Sequence, residues 1–176
     1  MKSKAAHLLL LPPAAILCAC LSWSAIAPAP FFYCPGTVVQ VTYTDYSGTI
    51  PEPFTERYTI TLDEVRFERL GHEEDLVNRG VWVVAASPAE VRDLLDGLSG
   101  VDCRKIKRIL PEGWPDAPIG GGATEYQIKY ESGGLFEMRL GEGVTYENAL
   151  TLTDPIRDFL RALQLPLEAR GPYLDH

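Results

Sequence analysis

The sequence predicts an α+β fold in which a single mixed or antiparallel sheet has two helices packed on one face. Segments that alternate apolar and polar residues lie before and after a helix with one apolar face, and a second such helix follows them. Neither helix is apolar all round, so each is expected to close one side of a common core. The 176 residues, of which 46% are hydrophobic and 23% charged, suffice for one domain.

Extended segments open the predicted domain. Thr37 to Thr44 alternates Val and Tyr with polar residues, which predicts a half-buried strand. In the next extended region, residues 57–70, the apolar residues change parity near Asp63, where a bulge or turn would restore the pattern. Val81 to Ala86 is short, apolar and rich in branched side chains, and we therefore expect a strand buried on both faces.

The first helix has the clearest start signal. Ser87-Pro88-Ala89-Glu90 is a capping box with proline at the first helical position, where its missing N–H does no harm. Gly97 or Gly100 can end the helix. One apolar face is predicted from the residues at i, i+3, i+4 and i+7, which are Val91, Leu94, Leu95 and Leu98.

The second half of the domain repeats the strand and helix patterns. Residues 101–110 are compatible with a strand, 111–122 form an irregular loop, and residues 124–131 and 135–140 predict a hairpin. Asp154-Pro155 is a second cap-plus-proline start, and Pro166 ends that helix. Its predicted buried face consists of Ile156, Phe159, Leu160 and Leu163.

The first 27 residues have the composition of an export segment, because two lysines precede a long uncharged, largely apolar stretch. Leu17-Cys18-Ala19-Cys20 resembles a bacterial lipobox, and the resemblance implies that Cys20 becomes the lipid-modified first residue of the mature protein. Two alternatives stay open. In the first, cleavage after Ala25-Ile26-Ala27 would release a free protein, although Pro28 directly after the site disfavours this cleavage. In the second, residues 5–27 would stay as an uncleaved anchor, since this segment has 23 residues and about 20 residues span a bilayer.

The lipobox resemblance sets the expected organisation and location of the chain. Residues 1–20 form the signal segment, 21–36 a tether, 37–166 the single α+β domain and 167–176 a tail. The expected location is the cell envelope, with the domain anchored to a membrane by lipid and facing the extracytoplasmic side.

Two cysteines remain outside the signal segment, Cys34 and Cys103. In an oxidising compartment they make one possible disulfide. Two buried free thiols are the alternative, because pairing cannot be deduced from sequence.

Charge and motif content exclude several function classes. Sixteen Lys and Arg against 24 Asp and Glu give a net charge of −8, which argues against nucleic acid as a partner. The motifs of serine hydrolases, zinc proteases and phosphate-binding loops are missing from the sequence, and beyond the export segment His occurs only as His72 and His176. His72 to Asp75 is a solvated charge run more readily than a cation site. We therefore predict no catalytic residue, no metal site, no cofactor and no enzymatic activity.

Two surface features are candidates for contact with a partner. Trp114 lies in the loop Pro-Glu-Gly-Trp-Pro, and large aromatic residues on loops are enriched at interfaces, although it could instead fold back as a lid on the core. Residues 104–108 form a basic cluster in an acidic chain, which suits anionic lipid or an acidic partner as well as the polar side of an exposed strand.

One family resemblance concerns the domain itself. Val65 to Gly71, a helix, the hairpin from Tyr126 to Leu140 and a closing helix are similar to emfourin-type protein inhibitors of metalloproteases, over about residues 58–165. The resemblance implies inhibition of a secreted protease and carries over no functional residue. The sequence thus predicts a membrane-tethered lipoprotein domain that binds another protein or an envelope component, with protease inhibition and a carboxylate- or metal-dependent enzyme as alternatives.

Overall fold

The computed structural model describes residues 36–46, 55–71, 79–111, 113, 122–141 and 143–169. The helices within these ranges are α1 (Pro88–Ser99) and α2 (Leu150–Ala162), and single 3-10 turns lie at Cys103–Lys105 and Leu167–Ala169. The strands are β1 (Val38–Tyr46), β2 (Thr55–Ile60), β3 (Val65–Leu70), β4 (Gly80–Val84), β5 (Lys107–Ile109), β6 (Ala123–Tyr130), β7 (Leu135–Gly141) and β8 (Thr145–Glu147).

Six of these strands form one antiparallel sheet in the order β4-β3-β2-β1-β6-β7, and β5 pairs with β8 in a small second sheet. The buried residues of both helices join the inward-facing strand residues in one core cluster. The opposite face of the large sheet carries mainly polar side chains and is not part of this cluster. The predicted α+β fold is confirmed, and the sheet is antiparallel.

Side chains on the helix-covered face align in rows that run across the large sheet. Because the strands are in register, one row is aromatic in five of the six strands, and adjacent rings have centroids 4.7 to 6.1 Å apart. Cross-strand aromatic pairs of this kind stabilise a sheet beyond the area that they bury. The row consists of Trp82, Phe67, Tyr58, Tyr43, Tyr126 and Met138.

The first helix begins and faces the core as predicted. Ser87 is the N-cap, Pro88 is the first helical residue, and all four residues of the predicted apolar face are buried. The helix ends at Ser99 with Gly100 as its C-cap, while Gly97 lies inside it. The predicted capping bond is wrong, since the Ser87 side chain makes none. The Ser87 carbonyl accepts the Val91 N–H at 3.0 Å, which is the first hydrogen bond of the helix.

The second helix begins earlier than the sequence predicts. It starts at Leu150, and Pro155 lies inside it instead of at its first position. The Leu152 and Thr153 amides already donate to the Ala149 carbonyl, and both side chains are 1% exposed. Pro155 is on the exposed side, where water can reach the carbonyl that its missing N–H leaves unbonded. Burial of the earlier turn therefore outweighs the local proline signal.

Two strand predictions also need correction. The strand expected to be buried on both faces is β4, at the edge of the large sheet, and Val81 and Val83 are 54% and 64% exposed. In the region 101–110 only β5 is a strand, preceded by the 3-10 turn. The turn expected near Asp63 is confirmed, since it joins β2 to β3 as a hairpin, and so is the hairpin of β6 and β7.

Candidate functional site

The face of the large sheet opposite the helices, here called the open face, carries a shallow groove of about 410 Å³. Strand alternation places polar residues of four neighbouring strands on this side. The groove is lined by Gln40, Thr42, Thr44, Tyr46, Arg57, Thr59, Arg66, Glu68, Glu125 and Gln127.

The floor of the groove consists of two threonines of β1, which lies between β2 and β6. Thr42 and Thr44 are only 8% and 4% exposed although they point away from the hydrophobic core. Thr44 lies directly opposite Arg57 in β2 and Glu125 in β6, whose longer side chains stand on either side of it. Short residues in the middle strand between long residues on its neighbours therefore produce the concave shape.

One wall of the groove is basic. Glu68, on β3, forms ion pairs with Arg66 at 2.6 Å and with Arg57 at 3.4 Å. The Glu68 side chain is 13% exposed, whereas those of the two arginines are 44% and 38% exposed. Two guanidinium groups that share one carboxylate leave a net positive charge on this side, and both are open to a ligand.

The other wall is acidic and is connected by hydrogen bonds. The Tyr46 hydroxyl donates to Glu125 at 3.1 Å, and the Gln127 amide donates to Glu125 at 2.6 Å and to Glu137 at 3.1 Å. Burial and the neighbouring Glu125 raise the pKa of Tyr46, so its phenol keeps its proton and the hydrogen bond over the ordinary pH range. The guanidinium of Arg139 lies 5.5 Å from the centre of the Tyr46 ring. These contacts fix the wall before any ligand arrives.

Most of the site residues predicted from the sequence lie outside the described residues. These are Cys20, Cys34 and Trp114, and their roles stay predictions. Cys103 is 4% exposed and disulfide-bonded, and the Tyr130 hydroxyl lies 3.6 Å from its sulfur. Its pairing with Cys34 stays a prediction.

The basic cluster at residues 104–108 is divided between two local structures. Arg104 lies in the 3-10 turn and pairs with Asp102 at 2.8 Å, and this hydrogen bond lowers the pKa of Asp102. Lys107 and Arg108 are exposed on β5, where Lys107 lies opposite Glu147 of β8. Arg104 and Lys107 thus have acidic neighbours, which favours the interpretation of this cluster as an exposed polar surface.

The described ranges also bear on metal binding and membrane insertion. They contain no group of three or more His, Cys, Asp or Glu side chains placed to hold a metal ion. None of their helices is long and apolar enough to cross a bilayer. The His72 to Asp75 run falls outside these ranges.

Comparison of the chain with protein-family models, with curated proteins and with solved structures gives no significant match.

The open face is a site that the sequence analysis did not identify. Its signal was present in the polar residues that alternate with the apolar ones in β1, β2 and β3, such as Thr42, Arg57 and Glu68.

Proposed function

We propose that this protein is an exported lipoprotein, tethered to a membrane through Cys20, whose domain binds another protein or an envelope component without catalysing a reaction. The observation that carries the proposal is the groove of the open face. Solvated faces of antiparallel sheets are common, but this one has a buried threonine floor between two walls of opposite charge. Such a surface is already ordered, and preorganisation reduces the entropy lost on binding.

The chemistry of the groove supports binding more than catalysis. Both carboxylates of the groove already have partners. Glu68 pairs with two arginines, and Glu125 accepts hydrogen bonds from a tyrosine and a glutamine. A general base needs a free lone pair aimed at a substrate proton, and a nucleophile needs an adjacent base. The groove lining offers neither arrangement, since its other members are threonine hydroxyls, amides and guanidinium groups.

The charge pattern indicates the kind of ligand that would fit. Arg57 and Arg66 suit a carboxylate or another planar anion, while Glu125 and Glu137 suit a donor or a cation on the opposite side. A polypeptide segment with charges of both signs satisfies both walls at once. The strong acidity of the whole chain is not repeated in this groove.

Site-specific photocrosslinking tests the open face. A photoreactive side chain at Thr59, within the groove, is expected to capture a discrete partner in cells, and Arg66→Glu should weaken that capture. The same probe at Asp158, on the solvent side of α2, and the substitution Arg161→Glu serve as controls, since both residues are exposed and distant from the groove. Equal capture from Thr59 and Asp158, or none from Thr59, would refute the open face as the binding site.

Intact mass and membrane partitioning, compared with a Cys20→Ala variant, test the tether. We expect a mature chain that begins at an acylated Cys20, and release from membranes in the variant. An unmodified chain with its first residues intact would replace the lipid with an uncleaved anchor. Cleavage after Ala27 would make the domain a free secreted protein, for which stoichiometric inhibition of a secreted metalloprotease becomes the function to assay.

A further inference from the structure

Among the described strands, none pairs with the outer side of β4. In the hairpin of β2 and β3, the Thr61 N–H donates to the Glu64 carbonyl at 2.9 Å, which makes those two residues a hydrogen-bonded pair. Hydrogen-bonded and non-hydrogen-bonded pairs alternate in antiparallel ladders, so Phe67, three residues after Glu64, forms a non-hydrogen-bonded pair with β2. Its backbone N–H and C=O groups therefore point toward Trp82 of β4. The N–H and C=O groups of Val81 and Val83, on either side of Trp82, consequently point away from the sheet.

The side chains of β4 leave the same edge unprotected. Val81 and Val83 project onto the open-face side and are 54% and 64% exposed. Proteins usually protect an exposed edge with a charged side chain, a proline or a bulge, and β4 (Gly80–Val84) has none of these. The opposite edge strand, β7, carries Glu137 and Arg139, and its end turns back through the bridge from Gly141 to Val144.

We propose that β4 pairs in antiparallel orientation with β4 of a second copy of this chain, about a two-fold axis at Trp82. Val81 of each copy then forms a hydrogen-bonded pair with Val83 of the other copy. These pairs satisfy the four outward-pointing groups of each chain, which are the N–H and C=O groups of Val81 and Val83. An interface of this kind is self-complementary, as a two-fold dimer requires.

The absence of charged residues in β4 allows a second copy of this acidic chain to occupy the edge. Any two copies of the whole chain repel each other, because each carries a net charge of −8. All five residues of β4 are uncharged, so this pairing opposes no like charges along the strand, and the exposed valines cover one another. Contact between other parts of two acidic surfaces would lack this advantage.

The aromatic row on the helix-covered face gives the axis its position. Trp82 is half-buried at the end of that row and stacks on Phe67, with ring centroids 5.7 Å apart. With a two-fold axis at Trp82, the Trp82 residues of the two copies form a non-hydrogen-bonded pair, the kind of pair in which side chains approach most closely. The row then continues through both copies. Because the axis is perpendicular to the sheet, both open faces lie on the same side of one continuous sheet.

Cysteine crosslinking in membranes tests both the pairing and its register. In the proposed dimer, the Cα atoms of Val81 and of Val83 in the second copy lie about 5.5 Å apart, within the reach of a disulfide. Two Val81 residues lie about 9 Å apart, beyond that reach. Full chains carrying Val81→Cys and Val83→Cys should therefore crosslink when expressed together. Either variant alone should behave as the wild type does with its native cysteines.

Molar mass measured by light scattering in detergent gives a second test. We expect a wild-type dimer, a monomer for Val83→Lys, and a dimer for Leu135→Lys, which places the same lysine on the 38%-exposed residue of the opposite edge strand. A monomeric wild type, or equal crosslinking in every cysteine variant, would overturn the proposal. A crosslink from Val83→Cys to a different protein would also overturn it, since the edge would then accept a strand from that partner.

Discussion

Arg69 is the residue whose replacement should most clearly destabilise the domain through a polar contact. Its side chain is 3% exposed on the helix-covered face of the sheet. The guanidinium donates to Glu56 at 2.9 and 2.6 Å and to the Ala169 carbonyl at 2.7 Å, and it lies 5.1 Å from the centre of the Phe67 ring. Arg69 therefore connects two strands of the sheet to the 3-10 turn that follows the second helix.

The magnitude for Arg69→Met follows from these contacts. Removal of one member of a buried ion pair costs about 3–5 kcal/mol, because the remaining charge is left without its counterion. The side chain of Glu56 is 24% exposed, so water recovers part of that loss. The bond to the Ala169 carbonyl is also lost, and hydrogen bonds to charged groups contribute about 1.5–3 kcal/mol. We expect a total of about 3–5 kcal/mol, because the water that reaches Glu56 offsets part of the sum.

Urea unfolding of the full chain, monitored by circular dichroism, measures this free energy. Arg66→Met is the matched control, since it makes the same change three residues earlier in β3, on the open face, where the side chain is 44% exposed and its ion pair should contribute less than about 1 kcal/mol. Amide exchange at Ala169 should accelerate in Arg69→Met alone. Equal losses in the two variants, or an unchanged exchange rate at Ala169, would refute the reasoning.

Three further predictions concern single residues of the covered face and of the first helix. Gly80→Ala should destabilise the domain by about 1–3 kcal/mol and alter the near-ultraviolet dichroism of Trp82, because an added Cβ would lie 2.9 Å from the indole. Gly97→Ala should instead stabilise it by about 0.5–1 kcal/mol in the same assay, because a Cβ added at this helical position meets nothing within 4 Å. Asp45 is exposed, but partial desolvation raises its pKa more than the hydrogen bond with Thr124 lowers it, so Asp45→Asn should unfold at slightly higher urea than the wild type at pH 7. The advantage should be lost as the pH falls below the carboxyl pKa, and an advantage that persists in acid would contradict this. Burial also raises the pKa of Tyr126 to about 12 from 10.0, so stability should fall as the pH rises between these values. The part of the phenolate absorbance that Tyr126→Phe removes should develop in step with unfolding instead of before it.

Local patterns determined those elements whose signals lie within a few residues. The first helix starts at the predicted Ser87-Pro88 pair and buries the predicted face, because helical periodicity assigns each side chain to a side of its own helix. The hairpin of β6 and β7 formed around Gly133, whose φ of 84° suits glycine. In both places, local geometry and burial favour the same structure.

Other features depend on residues far apart in the chain. The sequence shows that Val81 and Val83 are apolar, but only the strand order makes β4 an edge and leaves both exposed. The start of the second helix at Leu150 depends on burial of Leu152, which a local proline signal cannot register.

The candidate site divides in the same way. From the sequence alone came the prediction of an export segment, the net negative charge and the alternation that directs residues such as Thr44 and Arg57 to one side of their strands. Only the tertiary structure brought β1, β2, β3 and β6 together, so that Thr44 became the floor of a groove between Arg57 and Glu125. The physical reason is that alternation fixes the face on which a side chain lies, whereas the pairing and register of distant strands fix its neighbours.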